Sequence, residues 1–389
     1  MNRLAKLFFY AAVFFFPFRV DSFLWSVELF QSGFFNPFAA HFVYLSDVFL
    51  LLGGGAFATN LMFGGEYLKK LKGWALVAVG AFYLWAILSL FWSVDLVNSG
   101  FYLGRLLMLG GVYWLVAGKF LDWRVMLKCL LAALVVQAGI GIAQFWLQSS
   151  VGLGALGESL VNVKDLGVAK FSFLDRDWLR AYGTFVHPNV FAGYLVVGLL
   201  GLLVLDLRKW LKWTVFFLLF VALMLTFSRG AMLAFVLVLP WVMEGNGRKW
   251  YWLLLALVVG VFVLRFAEMA GDRGQFLLAA REMIKNDVLG VGLGNFTLVM
   301  QDFVSFELLP WSFQPVHNVF LLVAAELGLM GLVLFLWFCG LKLLKKETPN
   351  FLRAMLLALL IVGLFDHYPV TLYQGQALFW IVLSLNSRW

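Results

Sequence analysis

The chain has 389 residues, of which 63% are hydrophobic and 13% charged, against about 25% charged in an average soluble domain. This excludes a disordered chain, a coiled coil and a secreted disulfide scaffold, and it predicts an all-α polytopic integral membrane protein. About 245 apolar positions match the roughly 240 that twelve helices of about 20 residues require. The net charge of +8 acquires meaning only once it is sorted by side.

Apolar runs fall at 4–18, 39–62, 74–92, 100–118, 125–147, 189–205, 213–229, 231–243, 250–266, 317–340, 351–366 and 375–387. The first follows Arg3 and Lys6, is broken by Pro17 and Arg19, and has no small-residue cleavage site after it, so it is expected to be a retained helix and not a signal peptide. The long loop 148–188 separates five N-terminal helices (1–147) from a C-terminal region (189–389) that contains a second long loop, 267–316. Cys129 and Cys339 lie far apart within apolar runs and suggest neither a disulfide nor a metal site.

Basic clusters alternate between the runs: Arg3 and Lys6; Lys69, Lys70 and Lys72; Lys119, Arg124 and Lys128; Arg208, Lys209 and Lys212; Arg248 and Lys249; Lys342, Lys345, Lys346 and Arg353; then Arg388. The positive-inside rule makes that side the cytoplasm, with both termini inside. Eleven basic residues fall on the other side, among them Arg105, Arg176, Arg180, Arg229, Arg265, Arg273 and Arg281. As a group they suggest an anionic ligand there, although any single one can be a snorkelling anchor. His41, His187, His317 and His367 also fall at outer helix ends. None are paired at i, i+3 or i, i+4, so no metal site is expected.

In the second loop, Phe276, Ala280, Met283 and Ile284 form an apolar stripe at helical spacing, with Arg281 and Lys285 on the polar side. That predicts an amphipathic helix on the membrane surface. The G-V-G-L-G-N-F run at 290–296 reads as a flexible turn or an anion-binding nest. The sequence carries no H-E-x-x-H, no dinucleotide fingerprint, no G-x-S-x-G elbow and no internal repeat at 20–50 residues.

Pro315 is a helix-start signal, which puts His317 and Asn318 in a first turn at the water interface. On a continuous helix Gly328 lies about 20° around from His317 and Gly331 about 40° to its other side. The stripe so formed has a polar head and a smooth groove suited to a packed helix or a polyprenyl tail. Glu326 lies about 180° away and is expected to pack against another helix. The run L-T-F-S-R-G-A-M at 225–232 puts Arg229 at the tip of a tight hairpin, with Gly230 allowing the turn. In R-A-Y-G-T-F-V-H-P-N at 180–189, Arg180 and His187 precede a helix opening at Pro188 and Asn189, a setting that favours anions. Arg105, inside the fourth predicted helix, is a candidate because intramembrane charges mark function. Asp366 and His367, at the outer end of the eleventh, are either another site or a structural pair.

These segments together resemble the O-antigen ligase and polymerase superfamily, which also holds bacterial protein O-oligosaccharyltransferases. The ligase motif H-[NSQ]-x9-G-x-x-[GTY] is met by His317, Asn318, Gly328 and Gly331. S-R-G-A at 228–231, R-x-x-G-T-F-x-x-P-N at 180–189 and G-x-G-x-G-N-F are similar to further family segments. The resemblance covers about 180–331, and the first 150 residues match in topology alone. It implies transfer of a glycan from a polyprenyl-pyrophosphate carrier to a hydroxyl acceptor, on the outer face of the bacterial cytoplasmic membrane. The acceptor would be a lipid-linked glycan, a lipid A core or another surface group, and the enzyme a ligase or polymerase of cell-surface polysaccharide. By the same resemblance Arg180 and Arg229 hold the pyrophosphate, with Arg273 and Arg281 as further candidates, and His317 is the base. No cofactor, metal, nucleotide or nucleic acid is expected. A secondary transporter or flippase for an anionic lipid or sugar is the competing class. Such a protein should carry charges near the midplane on broken helices related by a repeat.

Overall fold

The computed structural model describes residues 2–26, 30–31, 34–62, 74–242, 255, 259, 274–305, 307–308, 313–345 and 347–386. These are mostly helical. α1 (Asn2–Phe15) stops just before Pro17, as the restricted backbone ahead of a proline requires. Strands β1 (Asp21–Ser26), β2 (Phe30–Gln31), β3 (Phe34–Phe35) and β4 (Ala40–Tyr44) follow, β1 pairing antiparallel with β4 and β2 with β3. Next come α2 (Leu45–Met62), α3 (Trp74–Leu88), α4 (Leu96–Ala117) and α5 (Trp123–Leu147). Asp95 and Asp122 cap α4 and α5 by accepting the amides of Asn98 and Arg124 at 2.7 and 2.8 Å. The hairpin β5 (Lys170–Phe173) and β6 (Arg176–Leu179) precedes α6 (Pro188–Leu202), α7 (Lys209–Leu225) and α8 (Arg229–Val238). After the described gap stand α9 (Gly274–Asn286), α10 (Phe296–Val299), α11 (Val319–Leu344), α12 (Asn350–Val362), α13 (Tyr368–Thr371) and α14 (Tyr373–Asn386).

The apolar runs land on helices, apart from the start of 39–62, which forms β4, and from 250–266, of which Leu255 and Val259 alone are among the described residues. The expectation of about twelve spans is corrected. Among the described residues three helices, α4, α5 and α11, are long and apolar enough to cross a membrane by themselves. The others are shorter; α1 and α14 have 14 residues each, so about 21 Å at 1.5 Å per residue against some 30 Å of hydrocarbon. Counting apolar residues overestimates spans because part of the apolar content fills the bundle interior. α6 is the extreme case, buried all round from Pro188 to Leu202 except at Asn189, which marks a helix enclosed by others.

The molecule has two chemically different ends. Lys6 lies over the Phe120 ring at 5.2 Å, Trp123 meets Phe351 at 6.1 Å, and Lys342 donates to the Asn386 carbonyl at 3.2 Å. Gly201 packs against Leu127 and Met355. The start of α1, the α4–α5 turn, the end of α6, the α11–α12 turn and the end of α14 therefore share one end, and with them the described members of the basic clusters. Lys69, Lys70, Lys72, Arg248, Lys249, Lys346 and Arg388 lie outside the described residues. All four histidines are at the other end.

α11 is not continuous. At Gly328 the backbone turns to φ 71°, ψ 178°, and a break inside an apolar helix frees carbonyls that need partners. The 288–294 loop supplies them. Val291 N donates to Ala325 O at 3.0 Å, Gly292 N to Glu326 O at 2.9 Å, and Leu329 N to Val288 O at 3.3 Å. The indole of Trp85 donates to Leu327 O at 2.8 Å. Gly290, Gly292 and Gly294 all have positive φ, a conformation in which a side chain is strained. Asn295 then fixes the loop to the start of α4: its amide donates to Ser93 Oγ at 2.9 Å and accepts from Asn98 at 2.9 Å. The run 290–296 is thus neither a flexible turn nor an open anion nest, because the amides of Val291 and Gly292 are spent on α11. The predicted stripe from His317 through Gly328 to Gly331 is also corrected. The helix begins at Val319, not at Pro315, and breaks before the stripe can continue. Gly328 and Gly331 make room for the Leu289 carbonyl and for Trp85, and Glu326 stands at the break, with Phe296 N donating to its carboxylate at 3.4 Å.

Candidate functional site

Three segments distant in sequence converge at the histidine end. α6 is capped by His187, whose Nδ1 accepts from Asn189 N at 3.1 Å, with Pro188 in the first turn. α11 is capped by Asn318, whose Oδ1 accepts from Phe320 and Leu321 at 3.0 Å each. Asn318 Nδ2 donates to Leu364 O at 3.2 Å, and Val319 N to Gly363 O at 2.7 Å. Those bonds fasten the turn 363–367 beside His317. In that turn Asp366 accepts from His367 N and from Asn189 Nδ2, both at 2.8 Å.

The result is a cavity of about 620 Å³ whose wall includes His41, His187, His317, His367, Asp366, Asn189, Arg19 and Arg105. The four histidines spaced across the whole chain meet in it. Phe276 of α9 stacks on His317 at 5.5 Å and 25°, and His367 meets the same ring edge-on at 4.9 Å. His367 Nδ1 is 2.7 Å from Thr371 Oγ1. Burial alone would raise the Asp366 carboxyl, but His367, His317, His187 and the Asn189 amide together hold it below the usual carboxylate range. His41 lies between the rings of Trp25 and Phe101 at 4.3 and 4.0 Å. Burial, then Arg105, pushes its pKa down to about 4, so it is neutral at pH 7.

Arg180 joins this wall to the hairpin of α7 and α8. Its Nη2 donates to Asn189 Oδ1 at 2.7 Å and its Nε to Thr226 O at 2.5 Å, giving a chain Arg180–Asn189–Asp366. Burial lowers Arg180 to about 10, and the like charge of Arg229 adds to it. The two arginines lie within electrostatic reach of one another beside the N-terminus of α8, behind the cavity wall and not among the residues that line it. Arg229 starts α8. Its hairpin is turned not by Gly230 but by Phe227, at φ 48°; Gly230 sits inside α8 against Phe365.

The other candidate arginines fare differently. Arg105 lines the cavity and, like Arg180, is already bonded within the protein: it donates to Phe42 O at 2.6 Å, pairs with Asp47 at 3.4 Å, and lies over Tyr373 at 4.6 Å. Arg281 is on the exposed side of α9, away from the cavity lining. Arg273 lies outside the described residues. α9 has the predicted amphipathic pattern, but its apolar side, Phe276, Ala279, Ala280 and Met283, is buried against Phe296, Met300 and Leu322 of the protein itself and not laid on a membrane surface.

Two contributions are absent from the sequence reading. One is the strand-bearing segment 19–44, which supplies Arg19 and Phe38 to the cavity and holds His41 on β4, not at the helix end expected for it. The other is a pair of buried glutamines on α5. Gln137 accepts from Thr184 N at 2.8 Å; Gln144 accepts from Gly183 N at 2.8 Å and donates to Gly183 O at 2.8 Å. They clamp the backbone just after Arg180. Their spacing of seven residues in an otherwise apolar helix puts both on one face, and this is the signal that could have revealed them.

Among the described residues no three side chains of His, Cys, Asp or Glu converge closely enough to hold a metal ion. No protein-family model matches the chain, and no curated protein is significantly similar to it.

Proposed function

We propose that this chain is a membrane glycosyltransferase of the O-antigen ligase or polymerase type. It would move a glycan from a polyprenyl-pyrophosphate carrier to a hydroxyl acceptor on the outer face of a bacterial cytoplasmic membrane, with both termini cytoplasmic. The observation that carries this reading is the histidine cavity with the Arg180–Asn189–Asp366 chain at its edge. In this scheme Arg180 and Arg229 grip the pyrophosphate and stabilise the charge that grows on it as the anomeric carbon–oxygen bond breaks. His317 takes the proton of the acceptor hydroxyl as that oxygen attacks the same carbon. The negative charge of Asp366, which interacts electrostatically with His317, would stabilise the imidazolium so formed.

The energy of the new bond comes from the glycosyl–pyrophosphate linkage, so the reaction requires no nucleotide, and the arginines take the task a metal would otherwise perform. The test is purified protein with lipid-linked donor and acceptor, in excess chelator and without nucleotide. Product formation under these conditions is expected. Loss of product restored by magnesium or manganese would overturn the arginine mechanism. A mass-spectrometric glycan profile of a deletion strain separates polymerase (lost chain length) from ligase (lost terminal transfer).

The transporter reading gains one observation, the break in α11 beside Glu326. Against it, the carbonyls of Ala325, Glu326 and Leu327 are already taken by Val291, Gly292 and Trp85, and are not offered to an ion. Donor flux across proteoliposomes without glycan transfer would favour the transporter.

A further inference from the structure

A second large cavity lies at the opposite end from the histidines. It measures about 580 Å³ and runs between α1, α2 and α4, walled by Phe9, Gly54, Gly55, Gly111, Trp114 and Phe120 among others. Its lining is almost wholly apolar, and Leu51 and Leu107 on its flank are 67% and 45% exposed. In a bilayer that flank opens to lipid.

The basic end of the molecule forms its mouth. Phe120, in the α4–α5 turn, closes the groove against Phe57 at 4.6 Å, and Lys6 lies over the same ring at 5.2 Å. Lys119, between the lining residues Gly118 and Phe120, is exposed and has φ 62°. A non-glycine residue rarely adopts that conformation. The nearby carboxylate of Asp122 is occupied in capping α5. An apolar slot with the Lys6 ammonium over Phe120 and Lys119 next to it in the chain is complementary to a lipid with an acyl chain and an anionic headgroup.

We propose that this groove binds an anionic membrane phospholipid, its acyl chain between α2 and α4 and its phosphate between Lys6 and Lys119. Within a bilayer the apolar slot alone confers little preference, because lipid tails are as apolar as its walls. Selectivity comes from the basic mouth. The site is independent of the reaction proposed above and lies at the other end of the bundle.

The glycines make a clean test. A Cβ added at Gly55 or Gly111 meets nothing within 4 Å, so leucine there fills the groove without displacing backbone. The full chain in detergent micelles is photolabelled with a diazirine-bearing phosphatidylglycerol, and the labelled peptides are mapped. Labelling should concentrate in 50–57 and 107–118. Unlabelled phosphatidylglycerol should compete roughly tenfold or more better than phosphatidylcholine with the same chains, the scale that two basic groups contribute at a membrane surface. Gly55→Leu with Gly111→Leu should remove the labelling while gel filtration stays unchanged. Lys6→Gln with Lys119→Gln should keep the labelling and lose the headgroup preference, which separates recognition from misfolding. Equal competition by the two lipids, labelling indifferent to the leucines, or cross-linking of a second copy of the chain through the groove each overturns the proposal.

Discussion

Arg180 uses its guanidinium for two jobs before any ligand arrives, gripping Thr226 O and Asn189 Oδ1 from different nitrogens. An ammonium on a flexible stem cannot reproduce that fork. The backbone following it is clamped by Gln137 and Gln144, so the loop does not adjust to a replacement. Arg180→Lys is therefore expected to lose nearly as much transfer as Arg180→Ala, about 10²-fold or more by the standard of a lost charge-stabilising donor. Arg229→Lys should behave alike. Full activity for both lysine variants would reduce these arginines to anchors. For His317, the role of base predicts a fall of about 10²–10⁴-fold in His317→Ala, with the protein still eluting as a folded species. Near-normal turnover in that variant would assign the ring a purely packing role against Phe276.

At the scale of elements, the broken helix and the outer loop are the two features that hold the site. Gly328→Ala places a Cβ 2.3 Å from Val288 O at φ 71°. Strain at positive φ costs about 1–3 kcal/mol, and the clash adds a similar amount. A melting curve should show this variant destabilised by about 3 kcal/mol, whereas Gly340→Ala, inside α11 where an added Cβ meets nothing, should melt at or slightly above wild type, because alanine favours a helix interior over glycine by about 1 kcal/mol. In the 148–188 loop, Glu158 accepts from the amides of Val151, Gly152 and Leu153 at 2.6, 2.9 and 2.6 Å and from Gln144 at 2.8 Å. Burial would raise this carboxyl, but those donors hold it below its ordinary value. A carboxyl depressed on folding stabilises the loop above the unfolded carboxylate range, and that contribution is lost as pH falls through the folded value. Amide exchange at 151–153, corrected for intrinsic rate, should thus stay protected at pH 7 and lose protection below the ordinary carboxylate range. Glu158→Gln should lower protection at pH 7 by about 2 kcal/mol and flatten its dependence on pH. A wild-type profile already flat through acid would remove Glu158 as the organiser.

The whole molecule is polarised, with the described lysines and arginines of the basic clusters at one end and the four histidines in a cavity at the other. A bilayer reads that asymmetry as orientation. Single cysteines at Ser159 and Ser305, in a background lacking Cys129 and Cys339, should label with an impermeant thiol reagent in intact spheroplasts. A cysteine at Lys128, at the basic end, should label after lysis alone. The reverse pattern inverts the proposed topology and moves the histidine cavity to the cytoplasm.

Helix content and the positions of most helices were legible in the sequence, because apolar runs and their caps are local. Asp95, Asp122, His187 with Pro188, and Asn318 each sit where their backbone chemistry is needed. Several residues of the cavity wall were legible too: the histidines, Arg105 and Asp366. Span number was not, since an apolar residue facing a neighbouring helix looks the same in sequence as one facing lipid; all-round burial of α6 shows the difference. The glycine stripe failed because it assumed an unbroken helix. The break at Gly328 exists only because the 288–294 loop is present to take the freed carbonyls, and a contact between segments some 35 residues apart has no local signature. The same holds for the cavity. His187, His317 and His367 could be placed near helix ends from their neighbours, whereas His41 lies on β4; their meeting around Asp366 depends on how α6, α11 and the 363–367 turn pack, and tertiary structure alone decides that.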